Sequence, residues 1–139
     1  MQYGIATVSE KGLLKSLGQL IGLSKWNKVT FYMKKFYING VEMVDIIMEI
    51  GSNGIKYHNL DEYSKGRDIV IHKNTPKISA GKVLGFVSNN RENTSWSCVE
   101  FIDNIFKDQG IKLLEGEKLT PGQINKKLSS KEDIIIHSK

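Results

Sequence analysis

The sequence predicts an α+β domain in which helices pack against a mainly antiparallel β-sheet. Two Asn-Gly pairs, at 39–40 and 53–54, are typical hairpin turns and separate segments rich in strand-forming residues. The strongest helical periodicity follows them, between Thr94 and Gln109. Because strand-like and helix-like segments occupy separate parts of the chain, the pattern favours α+β over an alternating fold.

The first predicted element is a short amphipathic helix from Gly12 to Leu23, in which the apolar residues recur mainly at helical spacing. Ser9, followed by Glu10, resembles a helix start, and Gly22 resembles a stop.

Strands are predicted where β-branched and aromatic residues cluster between turn signals. The segment from Asp61 to Gly66 is polar and is expected to be a connector. The predicted strands are Val29–Met33, Val44–Ile50, Ile55–His58, Arg67–His72 and, at the end of the chain, Asp133–Ile136.

Three helices are predicted in the second half of the chain. Pro76 suits the first turn of a helix that covers Ile78–Val87. The helix between Thr94 and Gln109 has an apolar face that includes Cys98, and Gly110 ends it. Thr120-Pro121 provides a cap and a first position for a helix that runs through Leu128.

Composition limits the function classes. The chain has 139 residues, of which 40% are hydrophobic, so residues 1–139 are expected to form a single domain with a core. One cysteine excludes an internal disulfide framework and a multi-cysteine metal site. No apolar run is long enough for a membrane span, and the N-terminus lacks the pattern of a secretion signal, so a cytoplasmic location is expected. The net charge of +5 permits contact with anionic partners without requiring it.

Cys98 is the most informative residue. It lies at the predicted start of a helix, after Ser95-Trp96-Ser97, where unpaired backbone N–H groups favour a thiolate. It also lies on the apolar face, where cysteine is commonly a small core residue. On the residues alone, the core interpretation is favoured.

Ser97-Cys98-Val99-Glu100-Phe101-Ile102 resembles the cysteine helix start of the circularly permuted papain-like hydrolases of the NlpC-type superfamily. In permuted members the histidine strand precedes the cysteine helix, as the order of elements here would require. The order of several further short segments is also similar to that family. These are Gly12–Ile21, Trp26–Phe31, Met48–Ile50 with Gly54-Ile55, Leu60–Tyr63 and Leu119–Ile124.

The resemblance implies a permuted papain-like domain with Cys98 as nucleophile and Glu49 as the third, orienting residue. The family's histidine position falls on Lys28, which is a departure from the pattern. Trp26 and Trp96 are candidate substrate-binding residues beside these positions. The implied substrate is an amide or ester of peptide, cell-wall or acyl type, and no cofactor is required.

Lysine is a poor replacement for histidine as a general base. An ordinary lysine pKa of about 10.4 would have to fall by about 3 units, or roughly 4 kcal/mol, to give a base near pH 7. Glu49, if close to Lys28, would oppose that shift. A charged Lys28 would still favour a thiolate at Cys98, so acylation is expected to be easier than turnover.

The three histidines are His58, His72 and His137, and each is expected to be a solvated or strand-end residue. His72 is the second choice of base, because a strand end is a plausible rim position. Their spacing lacks a helical metal-binding pattern, so no metal site is expected.

Two function classes therefore remain, together with a minor third. The first is a thiol hydrolase or acyltransferase that uses Cys98. The second is a degenerate papain-like domain that works as a binding or inhibitory protein. Nucleic-acid binding is the least favoured, because the lysines are spread along the chain and strand aromatics usually pack across strands. The oligomeric state does not follow from the sequence.

Overall fold

An antiparallel β-sheet forms the centre of the protein in this computed structural model, which describes residues 2–10, 26–51, 54–92, 95–113 and 120–138. Six strands lie in these ranges, in the spatial order β4-β3-β2-β1-β5-β6. Every neighbouring pair is antiparallel. The strands are β1 (Tyr3–Glu10), β2 (Lys28–Ile38), β3 (Val41–Gly51), β4 (Gly54–Asn59), β5 (Arg67–Ile71) and β6 (Ile134–Ile136).

The hairpin between β2 and β3 confirms the first predicted turn. Ile38 pairs with Val41, so Asn39 and Gly40 form a two-residue loop. Both loop residues have positive φ, at 50° and 79°, as a type I′ turn requires. Asn-Gly tolerates this conformation better than other pairs, which is why the local sequence predicted it.

Four helices lie in the described ranges, and three of them cover one face of the sheet. They are α1 (Leu60–Tyr63), α2 (Ala80–Asn90), α3 (Cys98–Asp108) and α4 (Pro121–Leu128). The predicted helix that follows Pro76 is confirmed but lies slightly later in the chain, since Ser79 caps it. The last helix begins at Pro121 with Thr120 as cap, as predicted.

The two faces of the sheet bury two separate groups of side chains. The helix-side core lies under α2, α3 and α4 and includes Val29, Phe31, Met48 and Ile50. The opposite core includes Tyr63 of α1 and, from the strands, Ala6, Val8, Tyr32, Ile47, Ile69 and Ile71. Neighbouring residues of a strand alternate between the two faces, so this division shows where each strand side chain points.

The N-terminal strand β1 corrects one expectation. Ser9 is fully buried as the penultimate residue of β1 rather than a helix cap, and Glu10 ends that strand. β1 lies between β2 and β5 and is buried on both faces, so it lacks the simple alternation that marks a half-exposed strand. The predicted helix from Gly12 to Leu23 lies outside the described residues, as do Asn53, Thr94 and Leu119.

Candidate functional site

Cys98 is the first residue of α3, as the sequence predicted. The Ser97 side chain accepts a 3.1 Å hydrogen bond from the Glu100 N–H, and the Ser97 N–H donates to Glu100 Oε1 at 3.3 Å. This reciprocal capping box fixes where the helix begins. Cys98 is partly buried and packs against the helix-side core. In the part of the chain that the structure describes, no hydrogen bond or ion pair joins its thiol to another side chain.

Lys28 and Glu49 lie together, but on the other face of the sheet. The Lys28 Nζ is 3.1 Å from Glu49 Oε2. Met48 and Ile50 point into the helix-side core, so Glu49 between them points to the opposite face. Val29 likewise points to the helices, and Lys28 before it points away from them. The structure therefore brings two of the predicted site residues together and places Cys98 across the sheet from both.

Lys28 is held as an ammonium by two carboxylates. Its Nζ lies 2.7 Å from Glu10 Oε1 as well as 3.1 Å from Glu49. Partial burial alone would lower the pKa of Lys28, but the hydrogen bonds and charges of Glu10 and Glu49 outweigh it and raise the pKa above its ordinary value. The expectation that Glu49 would oppose deprotonation of Lys28 is confirmed.

Glu49 is the centre of a polar cluster on this face. Its Oε2 accepts a 2.6 Å hydrogen bond from the Tyr63 hydroxyl in addition to the Lys28 contact. The His58 Nε2 lies 3.4 Å from the other oxygen, Oε1. Burial acts to raise the pKa of Glu49, yet the hydrogen bonds of Tyr63 and Lys28 and the charge of Lys28 hold it below its usual value. Glu49 is therefore favoured as a charged carboxylate, and its hydrogen bonds from Tyr63 and Lys28 are both accepted by Oε2.

Tyr63 is a member of this cluster to which the sequence assigned no role. Its ring is almost fully buried, with the Arg67 guanidinium carbon 4.3 Å from the ring centre and the His58 ring 5.0 Å away. Burial and the bond to Glu49 raise the pKa of the Tyr63 hydroxyl, so it stays a donor. Arg67 also contacts Glu10, which closes the cluster into a network of alternating charges.

His72, the second choice of base, lies in a separate and largely buried chain of polar groups. Its Nε2 is 2.9 Å from the Thr7 hydroxyl, and its Nδ1 is 3.1 Å from Asp133 Oδ2. The Thr7 hydroxyl is also 2.9 Å from the side-chain amide of Asn125, which is within hydrogen-bond distance. A hydroxyl, an imidazole and a carboxylate in this order resemble a nucleophilic triad. However, Thr7 and His72 have no exposed surface, so a substrate cannot reach the hydroxyl.

The buried chain is better explained as a structural device. Asp133 also accepts the backbone N–H groups of Lys73 and Ser130, each at 3.0 Å. Burial lowers the pKa of His72 against the opposing attraction of Asp133, which favours a neutral imidazole. The network joins β1, the end of β5, α4 and the segment before β6. No local signal predicts it, because Thr7 lies 65 residues from His72 and 118 from Asn125.

The two tryptophans have different positions. Trp96 stacks on Phe86 of α2, with ring centres 6.2 Å apart, and meets Phe101 edge-on at 5.5 Å. Its ring therefore contributes to packing between α2 and α3. Trp26 is partly buried just before β2. Neither position tests the predicted role in substrate binding.

A groove opens where the β2–β3 hairpin, β4 and α2 meet, and we call it the hairpin groove. Its volume is about 550 Å³. Tyr37 and Tyr57 are large side chains on its wall that remain 58% and 40% exposed. No local sequence pattern predicts this groove, because its residues come from three separate segments. The lining residues are Tyr37, Asn39, Ile55, Tyr57, Leu84, Val87, Ser88 and Arg91.

Comparison with known proteins adds no assignment. No protein-family model matches the sequence, and no curated protein matches it. Among the described residues, no group of His, Cys, Asp and Glu side chains is suited to hold a metal ion. Within those same ranges, none of the helices has the length and apolar character needed to cross a membrane.

Proposed function

We propose that this chain is a ligand-binding domain of the permuted papain-like type with a degenerate catalytic site, rather than a thiol hydrolase. The observation that carries the proposal is the environment of Lys28, at the family's histidine position. Its ammonium is paired with Glu10 and Glu49 on the sheet face away from α3. A paired ammonium cannot accept a thiol proton, and the sheet separates it from Cys98.

The hairpin groove supports the binding part of the proposal. Small-molecule sites typically have volumes of roughly 300–1,000 Å³, mostly apolar walls and a few polar groups. The groove has that size, with Ile55, Leu84 and Val87 as aliphatic wall and several polar side chains around them. Two exposed tyrosines on one groove are also large apolar surfaces that a ligand would cover.

A thiol-dependent hydrolase or acyltransferase is the second candidate. The observation that favours it is the partly exposed position of Cys98 as the first residue of a well-capped helix. It requires a proton acceptor for Cys98, and in the described residues no side chain bonds to the thiol. For this reason the binding function is the better supported of the two.

Thiol reactivity and ester hydrolysis distinguish the two candidates. We expect Cys98 to react with iodoacetamide at pH 7 no faster than N-acetylcysteine. We also expect the wild type, Cys98→Ala and Lys28→His to hydrolyse p-nitrophenyl acetate at the same slow rate, because position 28 faces Glu49. Circular dichroism establishes that each variant is folded. Accelerated alkylation, hydrolysis that requires Cys98, or a gain of hydrolysis in Lys28→His would overturn the proposal in favour of a hydrolase.

A further inference from the structure

We infer that the hairpin groove binds a small oxyanion attached to a planar apolar body, and that Arg91 is the residue that holds the oxyanion. This inference rests on the proposed binding function and names the ligand class of the same site. Three properties of the groove support it: the charge of its lining, the donors on its wall and the shape of its apolar surface.

The charge of the lining has one sign. Among the described residues that line the groove, Arg91, which caps the C-terminal end of α2, is the one charged residue, and none of them is Asp or Glu. No hydrogen bond or ion pair joins the Arg91 side chain to another residue in the described ranges. Lys35 lies 5.9 Å from the Tyr37 ring but is paired with Glu42 at 3.1 Å. Arg91 is therefore the cation that remains available to a ligand.

The neutral polar groups of the lining can all donate hydrogen bonds. Tyr37, Tyr57 and Ser88 contribute hydroxyls, and Asn39 contributes a side-chain amide. A guanidinium presents two parallel N–H donors that match a carboxylate or a phosphate. A wall with one guanidinium and several neutral donors suits an oxyanion better than a cation, which would meet no carboxylate there.

The apolar surface suits a flat molecule. The Tyr57 ring packs against the buried Phe36 ring, with centres 6.1 Å apart, and leaves the rest of its surface exposed. Tyr37 also borders the groove, and Ile55, Leu84 and Val87 provide aliphatic surface. Aromatic side chains favour stacked or edge-on contact with planar groups. The volume of about 550 Å³ accommodates a bicyclic molecule and its charged group.

A charge series on one ring system tests the inference. The probes are 2-naphthoate, 2-naphthyl phosphate, 2-naphthylmethanol and 2-naphthylmethylammonium, titrated into the full chain and followed by amide chemical shifts and calorimetry. We expect the two anions to bind about tenfold more tightly than the alcohol, as a charge-assisted hydrogen bond would give, and the ammonium to bind most weakly. Shift changes should concentrate at residues of the hairpin groove. The order of the two anions identifies the preferred oxyanion, and either order supports the inference.

Matched variants assign the effect to Arg91. Arg91→Gln should remove the preference for the anions and leave the alcohol unchanged. Lys82→Gln removes the same charge from an exposed position on the same helix and should keep the preference. Tyr57→Ala should weaken all four probes together, because it removes the exposed ring that lines the groove. Equal binding of anions and alcohol to the wild type would overturn the anion inference but leave the binding function standing. The absence of shift changes at the groove with every probe would overturn both.

Discussion

The Tyr63 hydroxyl donates a 2.6 Å hydrogen bond to Oε2 of Glu49, the oxygen that also receives the Lys28 ammonium. The bond links α1 to β3, 14 residues away along the chain. It has two consequences. It commits Glu49 Oε2 to Tyr63 and Lys28 rather than to a distant base. It also couples the position of α1 to a partly buried charge.

Tyr63→Phe should destabilise the protein while keeping the ring in place. The Tyr63 ring is only 2% exposed, so phenylalanine preserves the packing and removes the donor to a carboxylate. A hydrogen bond to a charged group contributes about 1.5–3 kcal/mol, and we expect the free energy of unfolding in urea to fall by about that amount. Tyr37→Phe, at an exposed ring, is the control and should change it little. Equal effects of the two substitutions would mean that the Glu49 bond contributes no stability.

The buried His72 predicts a loss of stability on acidification. Burial lowers its pKa from the usual 6.5 in the folded protein. Above pH 6.5 the imidazole is neutral in both states and has no effect. As the pH falls below 6.5, the unfolded chain takes up a proton that the folded chain does not, so the free energy of unfolding decreases until the folded pKa is reached. The decrease from one such group is at most about 1.4 kcal/mol per pH unit.

Urea unfolding between pH 7.5 and pH 5 measures this decrease. His72→Gln should reduce this pH dependence relative to the wild type, because it removes the group whose pKa burial lowers. If His72→Gln does not fold, imidazole NMR of the wild type gives the same information. A His72 titration midpoint at or above 6.5 would contradict the prediction.

Local chemistry accounts for the parts of the fold that the sequence predicted. The Asn39-Gly40 turn, the start of α3 at Cys98 and the Thr120-Pro121 start of α4 each depend on residues within a few positions of one another. Helix periodicity is also local. β1 was not predicted because it is buried on both faces and therefore lacks an alternating apolar and polar pattern. Its polar residues Thr7 and Ser9 also interrupt the apolar run that is typical of a buried strand.

The candidate site was predictable only in part, since its members are brought together by the sheet. Sequence order placed Lys28 and Glu49 in neighbouring strands, and they do meet. Which face each side chain takes depends on strand register, and a shift of one residue reverses it. The sequence did not contain that information for Cys98 relative to Glu49, nor for the partners of His72.

The capping box of α3 predicts that removal of the Ser97 hydroxyl lowers the stability of the protein. Ser97→Ala removes the acceptor of the Glu100 N–H and should lower the free energy of unfolding by about 1 kcal/mol. Ser88→Ala, an exposed position inside α2, is the matched control, and there alanine should stabilise slightly because its helix propensity is higher. Thermal and urea unfolding of both variants report the difference. Equal changes at the two serines would show that the cap contributes nothing.

Two glycines that have open space around them should respond to alanine substitution with opposite changes in the free energy of unfolding. A Cβ at Gly40 or at Gly85 would meet nothing within 4 Å, so crowding is absent at both. Gly40 has φ of 79° in the β2–β3 turn, and alanine there should cost about 1–2 kcal/mol because its Cβ disfavours the left-handed conformation. Gly85 lies inside α2, where alanine should add about 0.5–1 kcal/mol by reducing the flexibility of the unfolded chain. Urea unfolding measures both. A stabilising Gly40→Ala would mean that the hairpin does not require the left-handed turn, and the register that points Glu49 and Lys28 away from α3 would then have to be reconsidered.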